Sequence, residues 1–306
     1  MSTMENEMDF SIIVPSFNEE DVIEKFLENL QSVLSISNDK YEIIVVDDGS
    51  TDNTFSIASN IPGIRVIRHP YNKGNGSAVK TGILASRYER LVIIDADGQH
   101  DPKHIIEMIE LLDEFDLIVG SRGSFGIGRR GFGNVFVSRL ASYLSGTTIP
   151  DLTSGFRAFR KENMLEFLDL LPNGYSLPST STLAFATSGY NVKFIQITPR
   201  VRQGGKSNIN VSKDGVKFLV LIFRMISLFK PLKIFVPTSI SLFLLSFLWS
   251  LKTIAYSGGL SPTVVMLFLA AVFTLFFGFL ADQSAETRLS IGKINKLLKK
   301  KLEDTD

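Results

Sequence analysis

Two long apolar stretches near the C-terminal end constrain this chain more than any other feature. Residues 234–251 read IFVPTSISLFLLSFLWSL without a charged side chain, and after Lys252 the run 253–281 is uncharged as well. Without its polar turn the second run keeps about 22 residues, enough at ~1.5 Å per residue for a helix of about 33 Å, which matches a bilayer core. Soluble cores seldom need two such runs, so the sequence predicts two transmembrane helices over residues 231–283.

Basic side chains flank the outer ends of this hairpin. They are Lys217, Arg224, Lys230 and Lys233 before the first span and Arg288, Lys293, Lys296, Lys299, Lys300 and Lys301 after the second. Only Lys252 lies near the connecting turn. Because cytoplasmic loops carry the excess of positive charge, we expect both ends in the cytoplasm and the turn outside. Residues 1–9 carry three acidic side chains and no apolar run, so we expect no signal peptide.

The chain therefore divides into four predicted parts. Residues 1–212 form a cytoplasmic catalytic domain, residues 213–230 a juxtamembrane amphipathic helix, and residues 284–306 a basic cytoplasmic tail after the hairpin. The juxtamembrane segment contains DGVKFLVLIFRMISLFK, whose apolar residues cover all but a narrow basic face. Such a helix fits the membrane interface, and packing against the soluble domain is the alternative.

Composition excludes several classes of function. Lys plus Arg and Asp plus Glu are both 32, so the net charge is zero, which argues against a nucleic-acid partner. The apolar fraction of 44% excludes an acidic disordered chain. The absence of cysteine excludes disulfides, thiolate zinc sites and cysteine nucleophiles.

The first half of the chain alternates short apolar runs with helical patterns. The predicted strands are Phe10–Pro15, Tyr41–Val46, Ile64–Arg68, Leu91–Ile94 and Leu117–Val119. The predicted helices are Glu19–Leu34 with Asn18 as its N-cap, Thr51–Ile61, Gly76–Arg87 and Pro102–Leu112. Continuously apolar strands, each followed by a helix, predict an α/β fold with a mostly parallel sheet covered on both faces.

Polar clusters follow three of these strands, where ligands bind in such sheets. Asp95 and Asp97 end the fourth strand, and their oxygens suit Mg²⁺ or Mn²⁺, with Gln99 as a neutral third ligand. Asp47 and Asp48 end the second strand, where a carboxylate accepts a base N–H or a ribose hydroxyl. Helix capping by the adjacent serine or threonine is compatible with that role.

Other polar residues are candidates for binding phosphate or zinc. Arginine suits phosphate because its charged fork binds two oxygens, although each arginine alone is commonly structural. The candidates for a diphosphate and a lipid phosphate are Arg122, Arg129, Arg130, Arg139, Arg157, Arg200 and Arg202, together with Lys206. The four-residue spacing of His100 and His104 hints at zinc, but a helix starting at Pro102 leaves His100 outside it, and His69 is expected to be a plain loop residue.

Several motifs in order resemble family 2 glycosyltransferases, in particular the polyprenyl-phosphate branch similar to dolichol-phosphate mannose synthase. They are SIIVPSFNEE, VVDDGSTDNT, NKGNGSAVKTG, IIDADGQHDP, GSR and DLTSGFRAFRKE, and they cover about residues 10–210. The resemblance implies a GT-A fold, a nucleotide-diphosphate sugar as donor, Mg²⁺ or Mn²⁺, and inversion at the anomeric carbon. A polyprenyl phosphate in the membrane is then the implied acceptor.

The resemblance also implies roles for individual residues. Its nucleotide-binding positions are Pro15, Phe17, Glu19, Asp47, Asp48 and Ala96, with Arg202 and Lys206 closing over the diphosphate. Its metal positions are Asp95, Asp97 and Gln99. Arg122 falls near the diphosphate, Arg130 and Asn134 fall near the lipid phosphate, and Asp97, Arg122 and Arg130 are the catalytic positions. Phe17 replaces the usual tyrosine, which removes a hydroxyl contact but keeps the ring for stacking.

Two other readings remain open. A transferase that adds sugar to a hydroxyl needs a catalytic base, for which Asp151 is the candidate, but the QxxRW motif of processive enzymes is absent because the only tryptophan is Trp249. A non-catalytic nucleotide-sugar-binding scaffold is disfavoured by the intact carboxylates. We expect the segments 151–157 and 175–182 to read the donor sugar, and the paired spans allow a homo-oligomer.

Overall fold

The computed structural model describes residues 8–37, 39–122, 138–197, 227–257, 259 and 261–303. The chain forms two compact units, one of residues 1–211 with 292–306 and one of residues 212–291. The first unit holds all the polar clusters that the sequence singles out, and the second holds the apolar hairpin.

A seven-stranded sheet forms the centre of the first unit, in the order β3-β2-β1-β4-β6-β5-β7. Its strands are β1 Phe10–Ser16, β2 Tyr41–Asp47, β3 Ile64–Arg68, β4 Arg90–Ile93, β5 Leu117–Ser121, β6 Arg157–Arg160 and β7 Val192–Gln196. The first four pair in parallel, β5 is parallel to β7, and β6 is antiparallel to both of its neighbours. The predicted mostly parallel sheet is therefore confirmed.

Helices cover both faces of this sheet. They are α1 Ile23–Leu34, α2 Thr54–Asn60, α3 Asn75–Ala85, α4 Ile105–Glu110 between 3-10 turns at Pro102–His104 and Leu111–Asp113, α5 over 138–145, α6 Lys161–Leu165 and α7 Leu177–Thr187. Helix α1 buries Phe26, Leu27 and Leu30 in a core shared with β1 and β2, each worth about 1.5–3 kcal/mol of burial. Helix α3 packs at the opposite face, where a Cβ at Gly82 would overlap the Ile13 side chain.

The predicted N-cap at Asn18 is wrong, since α1 begins only at Ile23. Asn18 adopts a left-handed backbone conformation with φ 53°, which asparagine tolerates better than most residues. Its Oδ1 accepts a hydrogen bond from the backbone N–H of Thr51 at 2.9 Å instead of capping a helix. A contact to the next loop therefore replaces the local cap.

The second unit contains a short helical segment, α8 over 227–229, and two long helices, α9 Leu232–Ser257 and α10 Pro262–Glu303. Both long helices are apolar and long enough to span a membrane, which agrees with the predicted hairpin. Most of the predicted juxtamembrane helix, 213–226, lies outside the described residues. The predicted tail after residue 284 continues α10 as far as Glu303.

Small and hydroxyl side chains bring the two long helices together. Ser239 Oγ donates to the carbonyl of Ala271 at 2.8 Å, and Ser246 Oγ donates to that of Val264 at 2.9 Å. A Cβ at Gly278 would lie 2.6 Å from the Cβ of Phe235, so the backbone approaches closely there. Inside a lipid bilayer the hydrophobic effect does not bring helices together, so apolar helices pack through small residues and hydroxyl hydrogen bonds.

Candidate active site

The loops after β1, β2 and β4 lie at one edge of the sheet. Strand β1 lies between the other two, with Ser16 opposite Asp47 and Ile13 opposite Ile93. The Asp48 N–H donates to the Ser16 carbonyl at 2.9 Å, which extends the pairing into the loop after β2. The three polar clusters expected from the sequence therefore share one rim.

Hydrogen bonds join the loop after β1 to the loop after β2. The Asn18 N–H donates to Ser50 Oγ at 3.0 Å, and the Glu19 N–H donates to Thr54 Oγ1 at 2.8 Å. Phe17 lies in the loop after β1 with 40% of its surface exposed, whereas Pro15 is buried within β1. Phe17 thus offers an open aromatic face at the rim.

Asp47 is buried and faces a cation. The Ser50 N–H donates to Asp47 Oδ1 at 3.3 Å, and the Arg68 Nε lies 3.2 Å from Oδ2. Arg68 also lies over the Phe55 ring, 4.6 Å from its centroid. Asp47 therefore orders the base of the second loop.

Asp48 organises the loop that follows β3. Its Oδ1 lies 2.7 Å from His69 Nδ1 and accepts from the Lys73 N–H at 3.0 Å, while its Oδ2 accepts from the Gly74 N–H at 2.7 Å. His69 Nε2 lies 2.9 Å from Thr81 Oγ1, so a neutral imidazole would donate from Nδ1 and accept at Nε2. The sequence reading of His69 as a plain loop residue is wrong, because the ring is buried in this network.

Asp95 and Asp97 occupy the turn after β4. Gly98 takes φ 72° there, and the Gln99 N–H donates to Asp97 Oδ1 at 3.1 Å. Ala96 is buried between the two half-buried carboxylates. A Cβ at Gly155 would overlap Asp95 Oδ2 and come within 2.9 Å of its Cγ, so only glycine fits against this carboxylate.

The donor atoms at this turn fit a hard divalent cation. Two carboxylates one residue apart, with a neutral amide at Gln99, are oxygen donors of the kind that Mg²⁺ and Mn²⁺ prefer. Within the described ranges no three or more His, Cys, Asp or Glu side chains gather into a cluster able to hold a metal. A cation bound there could complete its coordination with oxygens of water or of a ligand.

Arg157 lies fully buried behind these carboxylates. Its Nη1 donates to the Pro178 carbonyl at 2.9 Å and to Ser181 Oγ at 2.6 Å, and its Nη2 donates to the Ser154 carbonyl. Burial lowers the pKa of Arg157 to about 10, against the charges of Asp95 and Asp151, so it is protonated at neutral pH. The suggestion that Arg157 serves a phosphate is wrong, because it is a buried counter-charge.

The stretch expected to read the sugar supports Arg157. The Thr182 hydroxyl donates to the Pro178 carbonyl at 3.0 Å, and the Ser181 hydroxyl donates to the Leu177 carbonyl at 2.9 Å. Both side chains are buried in α7. These hydroxyls are thus committed to their own helix and to the guanidinium.

Arg122 and Asp151 form a two-pronged ion pair. The Arg122 Nε lies 3.0 Å from Asp151 Oδ2, and its Nη2 donates to Asp151 Oδ1 at 3.3 Å and to Thr153 Oγ1 at 2.9 Å. Burial alone would raise the pKa of Asp151, but the hydrogen bonds and charge of Arg122 outweigh it and hold that pKa below the usual value. Asp151 is therefore ionised.

His100 is a buried neutral side chain beside the site. Its ring lies 5.4 Å from that of Phe156, and burial lowers its pKa to about 4, although the charge of Asp97 opposes the shift. His104 lies in the following 3-10 turn, with its Nδ1 3.2 Å from Glu107 Oε2. The two histidines have separate neighbours, which gives no support to a joint zinc site.

Four of the predicted site residues lie outside the described residues. They are Arg130, Asn134, Arg202 and Lys206. Arg129 and Arg200 lie outside them as well, and Arg139 is in α5.

The sequence matches two family descriptions. "Glycosyl transferase family 2" matches residues 11–167, more than half of the chain, and "GtrB C-terminal hairpin" matches residues 230–286. The dolichol-phosphate mannosyltransferase of Pyrococcus furiosus is 30% identical over 71% of this chain and 64% of its own length. The dolichyl-phosphate hexose transferase of Haloferax volcanii is 31% identical over 64% of this chain and 85% of its own length.

Solved structures show the same fold at lower identity. Glucosyl-3-phosphoglycerate synthase from Mycobacterium tuberculosis, in complex with Mn²⁺, uridine diphosphate and phosphoglyceric acid, has a TM-score of 0.57 and 22% identity. That match covers 72% of this chain and 78% of the other. The same enzyme with Mg²⁺ and uridine diphosphate has a TM-score of 0.57 and 21% identity. With this GT-A-like sheet, the carboxylate turn after β4 and the C-terminal hairpin, the chain belongs to glycosyltransferase family 2.

Proposed function

We propose that the protein transfers a hexose from a UDP- or GDP-sugar to a membrane polyprenyl phosphate, with Mg²⁺ or Mn²⁺ and with inversion at the anomeric carbon. The observation that carries the proposal is the Asp95–Asp97 turn, at the ligand-binding edge of a catalytic unit whose chain also contains a membrane hairpin. The names of the relatives above, a dolichol-phosphate mannosyltransferase and a dolichyl-phosphate hexose transferase, support a polyprenyl phosphate as acceptor. The product would be a polyprenyl-phosphate-linked sugar.

The nucleoside would lie on the joined loops after β1 and β2. The exposed ring of Phe17 offers a stacking face. Among the described residues only the Gly74 N–H donates to Asp48 Oδ2, so this oxygen retains capacity for a base N–H or ribose hydroxyl. Glu19, in the same loop as Phe17, is also proposed to contact the nucleoside. Pro15, Asp47 and Ala96 are buried and would act by shaping the pocket.

Charge explains why a divalent cation would be needed. With Asp95 and Asp97 ionised, as metal binding requires, Asp97, Asp95 and Asp151 face only two cations, Arg122 and Arg157. These five side chains together thus carry one net negative charge. A cation held by Asp95, Asp97 and Gln99 would supply the positive charge that stabilises the departing nucleoside diphosphate.

The remaining positive charge would come from outside the described residues. Arg202 and Lys206 are proposed to cover the diphosphate, while Arg130 and Asn134 are proposed to hold the lipid phosphate. An oxygen of that phosphate would attack the anomeric carbon as the bond to the nucleoside diphosphate breaks on the opposite side. A phosphate ester is already ionised at neutral pH, so the protein has to position it rather than deprotonate it.

A labelled-sugar transfer assay tests this proposal. Detergent-purified full-length protein would receive polyprenyl phosphate, Mn²⁺ or Mg²⁺, and each of a panel of UDP- and GDP-sugars. We expect labelled lipid from one donor, lost with a chelator and restored by added metal, and lost in Asp97→Asn but not in the exposed control Asp169→Asn. Label appearing only on an added saccharide hydroxyl would replace the proposal by the hydroxyl-acceptor reading. Nucleotide binding without any transfer would favour the scaffold.

The proposed topology places the catalytic unit and the C-terminus in the cytoplasm and the turn between α9 and α10 outside. Because the chain contains no cysteine, a single introduced cysteine is a unique label site. An impermeant maleimide should label Gly259→Cys in intact cells, and should label Tyr175→Cys, whose side chain is 88% exposed, only after lysis. The reverse pattern would invert the topology. Self-association through the spans also remains a prediction, testable by mass measurement in detergent.

A further inference from the structure

We propose that Asp151 is a positioning residue that fixes the Arg122 guanidinium as a directed donor for the diphosphate, and that it does not act as a base. This inference rests on the proposed function, in which Arg122 contacts the donor. Asp151 belongs to the loop before β6, and Arg122 directly follows β5. The two loops adjoin because β5 and β6 are paired neighbours in the sheet.

The Asp151 carboxylate is saturated with donors. Its Oδ1 accepts from the Thr153 N–H at 3.0 Å, the Thr153 hydroxyl at 3.2 Å and Arg122 Nη2 at 3.3 Å. Its Oδ2 accepts from the Arg122 N–H at 3.3 Å and from Arg122 Nε at 3.0 Å. A carboxylate offers about four lone-pair positions for hydrogen bonds, and five donors already occupy them. No position is left to take a proton from the hydroxyl of a sugar-accepting substrate.

The same contacts determine which edge of Arg122 is available. Nε and Nη2 are used by Asp151 and Thr153, whereas no residue in the described part of the chain accepts from Nη1. The side chain is 29% exposed, so the two Nη1 donors can meet a ligand. The two N–H groups of Nη1 diverge, so each can donate to a different oxygen of a diphosphate, and holding the guanidinium in place beforehand lowers the entropy lost on binding.

The electrostatic environment keeps this pair intact at neutral pH. The Arg122 charge holds the pKa of Asp151 below its usual value despite burial, and Arg157, buried behind the pair, is a second nearby cation. A base would need a carboxylate that can take up a proton near neutral pH. The environment of Asp151 instead stabilises the ionised carboxylate, which makes Asp151 a weaker base.

A double-mutant cycle separates positioning from base catalysis. Asp151→Asn keeps the shape but places an amide N–H group against Arg122, and Arg122→Gln removes the guanidinium. We expect Asp151→Asn to lower kcat about 10- to 100-fold, a range typical of residues that support a site through another residue, and Arg122→Gln to lower it at least as much. The double variant should be no slower than Arg122→Gln. The proposal would be overturned if the loss of kcat in the double variant equalled the product of the two single losses. It would also be overturned if the acidic limb of the pH–rate profile disappeared in Asp151→Asn alone.

Asp113→Asn is the matched control. It changes another arginine-paired aspartate, 2.6 Å from Arg90 Nη2 and 3.3 Å from Arg160 Nη2. Arg90 begins β4, so this pair lies at the opposite end of the strand from Asp95. We expect unchanged kcat in Asp113→Asn, and thermal unfolding of each variant would show whether its fold is retained.

Binding of UDP and GDP with Mn²⁺, measured by calorimetry, distinguishes this inference from the proposed function. If the wild-type protein binds nucleotide but transfers no sugar to polyprenyl phosphate, the proposed function fails. Measuring nucleotide affinity in the same two single variants and the double variant would then still test whether Asp151 positions Arg122. Non-additive losses in Asp151→Asn and Arg122→Gln would support positioning, and an unchanged affinity in Asp151→Asn with a weakened one in Arg122→Gln would refute it.

Discussion

Gly155→Ala tests how closely the loop before β6 supports the carboxylate turn after β4. A Cβ at this position would overlap Asp95 Oδ2 and lie 2.9 Å from Asp95 Cγ. Ordinary carbon contacts lie near 3.5–4.0 Å, so the carboxylate would have to withdraw by about 1 Å. The alanine is therefore expected to displace a proposed metal ligand without changing any charge.

The size of the effect follows from that displacement. Metal–ligand distances tolerate only about 0.2 Å, and a misplacement of about 1 Å at a reacting site costs about 100-fold in rate. We expect kcat/KM to fall about 100-fold, equivalent to ~2.7 kcal/mol of transition-state stabilisation. The affinity for Mn²⁺ in the presence of nucleoside diphosphate should fall about 10- to 100-fold. Calorimetry would give the affinity, and labelled-sugar transfer over a range of Mn²⁺ concentrations would give the rate.

Gly174→Ala is the matched control, since no atom lies within 4 Å of a Cβ placed there. It should leave both measurements unchanged. Overpacking costs about 1–3 kcal/mol, so thermal unfolding of Gly155→Ala is needed to show that a folded protein is being assayed. A folded Gly155→Ala protein with the wild-type affinity for Mn²⁺ and the wild-type kcat/KM would refute the reasoning.

Three further predictions concern stability. His69→Leu should lower the free energy of unfolding by about 1–3 kcal/mol, measured by urea unfolding, because a buried carboxylate loses one of its donors, and an unchanged value would contradict the network. Gly278→Ala should destabilise the hairpin in detergent by about 1–3 kcal/mol because its Cβ would lie 2.6 Å from Phe235, whereas a Cβ at Gly259 meets no described atom within 4 Å, so Gly259→Ala should have no effect. Folding lowers the pKa of Asp151, so the ionised carboxylate stabilises the folded protein fully at any pH above the pKa of the unfolded state. This stabilisation is lost as the pH falls through the pKa of the folded state. The difference in unfolding temperature between wild type and Asp151→Asn should therefore stay constant from pH 5 to 8 and shrink below about pH 4.

The sequence predicted the strands of the first half of the chain, in which apolar residues predominate. The predicted strand Ile64–Arg68 coincides with β3, and the other four predicted strands differ from β1, β2, β4 and β5 by a residue or two at their ends. Strand β6 was missed because only two of its four residues, Ala158 and Phe159, are apolar. Its first arginine is buried by hydrogen bonds to residues about 21–25 positions away, which no local pattern reveals.

The site shows the same division between local and long-range information. Asp95 and Asp97 were identified because they end an apolar strand, and the structure places them at the shared rim of the sheet. The partners of Asp48 and Arg122 were not identified, since His69 and Asp151 lie 21 and 29 residues away along the chain. Their contacts arise from the order of the strands, and sequence spacing alone carries no signal for them.

These partnerships bear on how the site handles charge. Arg122 is paired with Asp151, and Arg157 is buried behind Asp95, so these two cations are held in place by protein groups before a substrate arrives. Fixed dipoles and charges of this kind need little reorganisation during the reaction, which is where their advantage over water lies. They contribute little net positive charge, however, because carboxylates offset them. Under the proposed function, donor binding should therefore depend on divalent metal more steeply than on either of these two arginines.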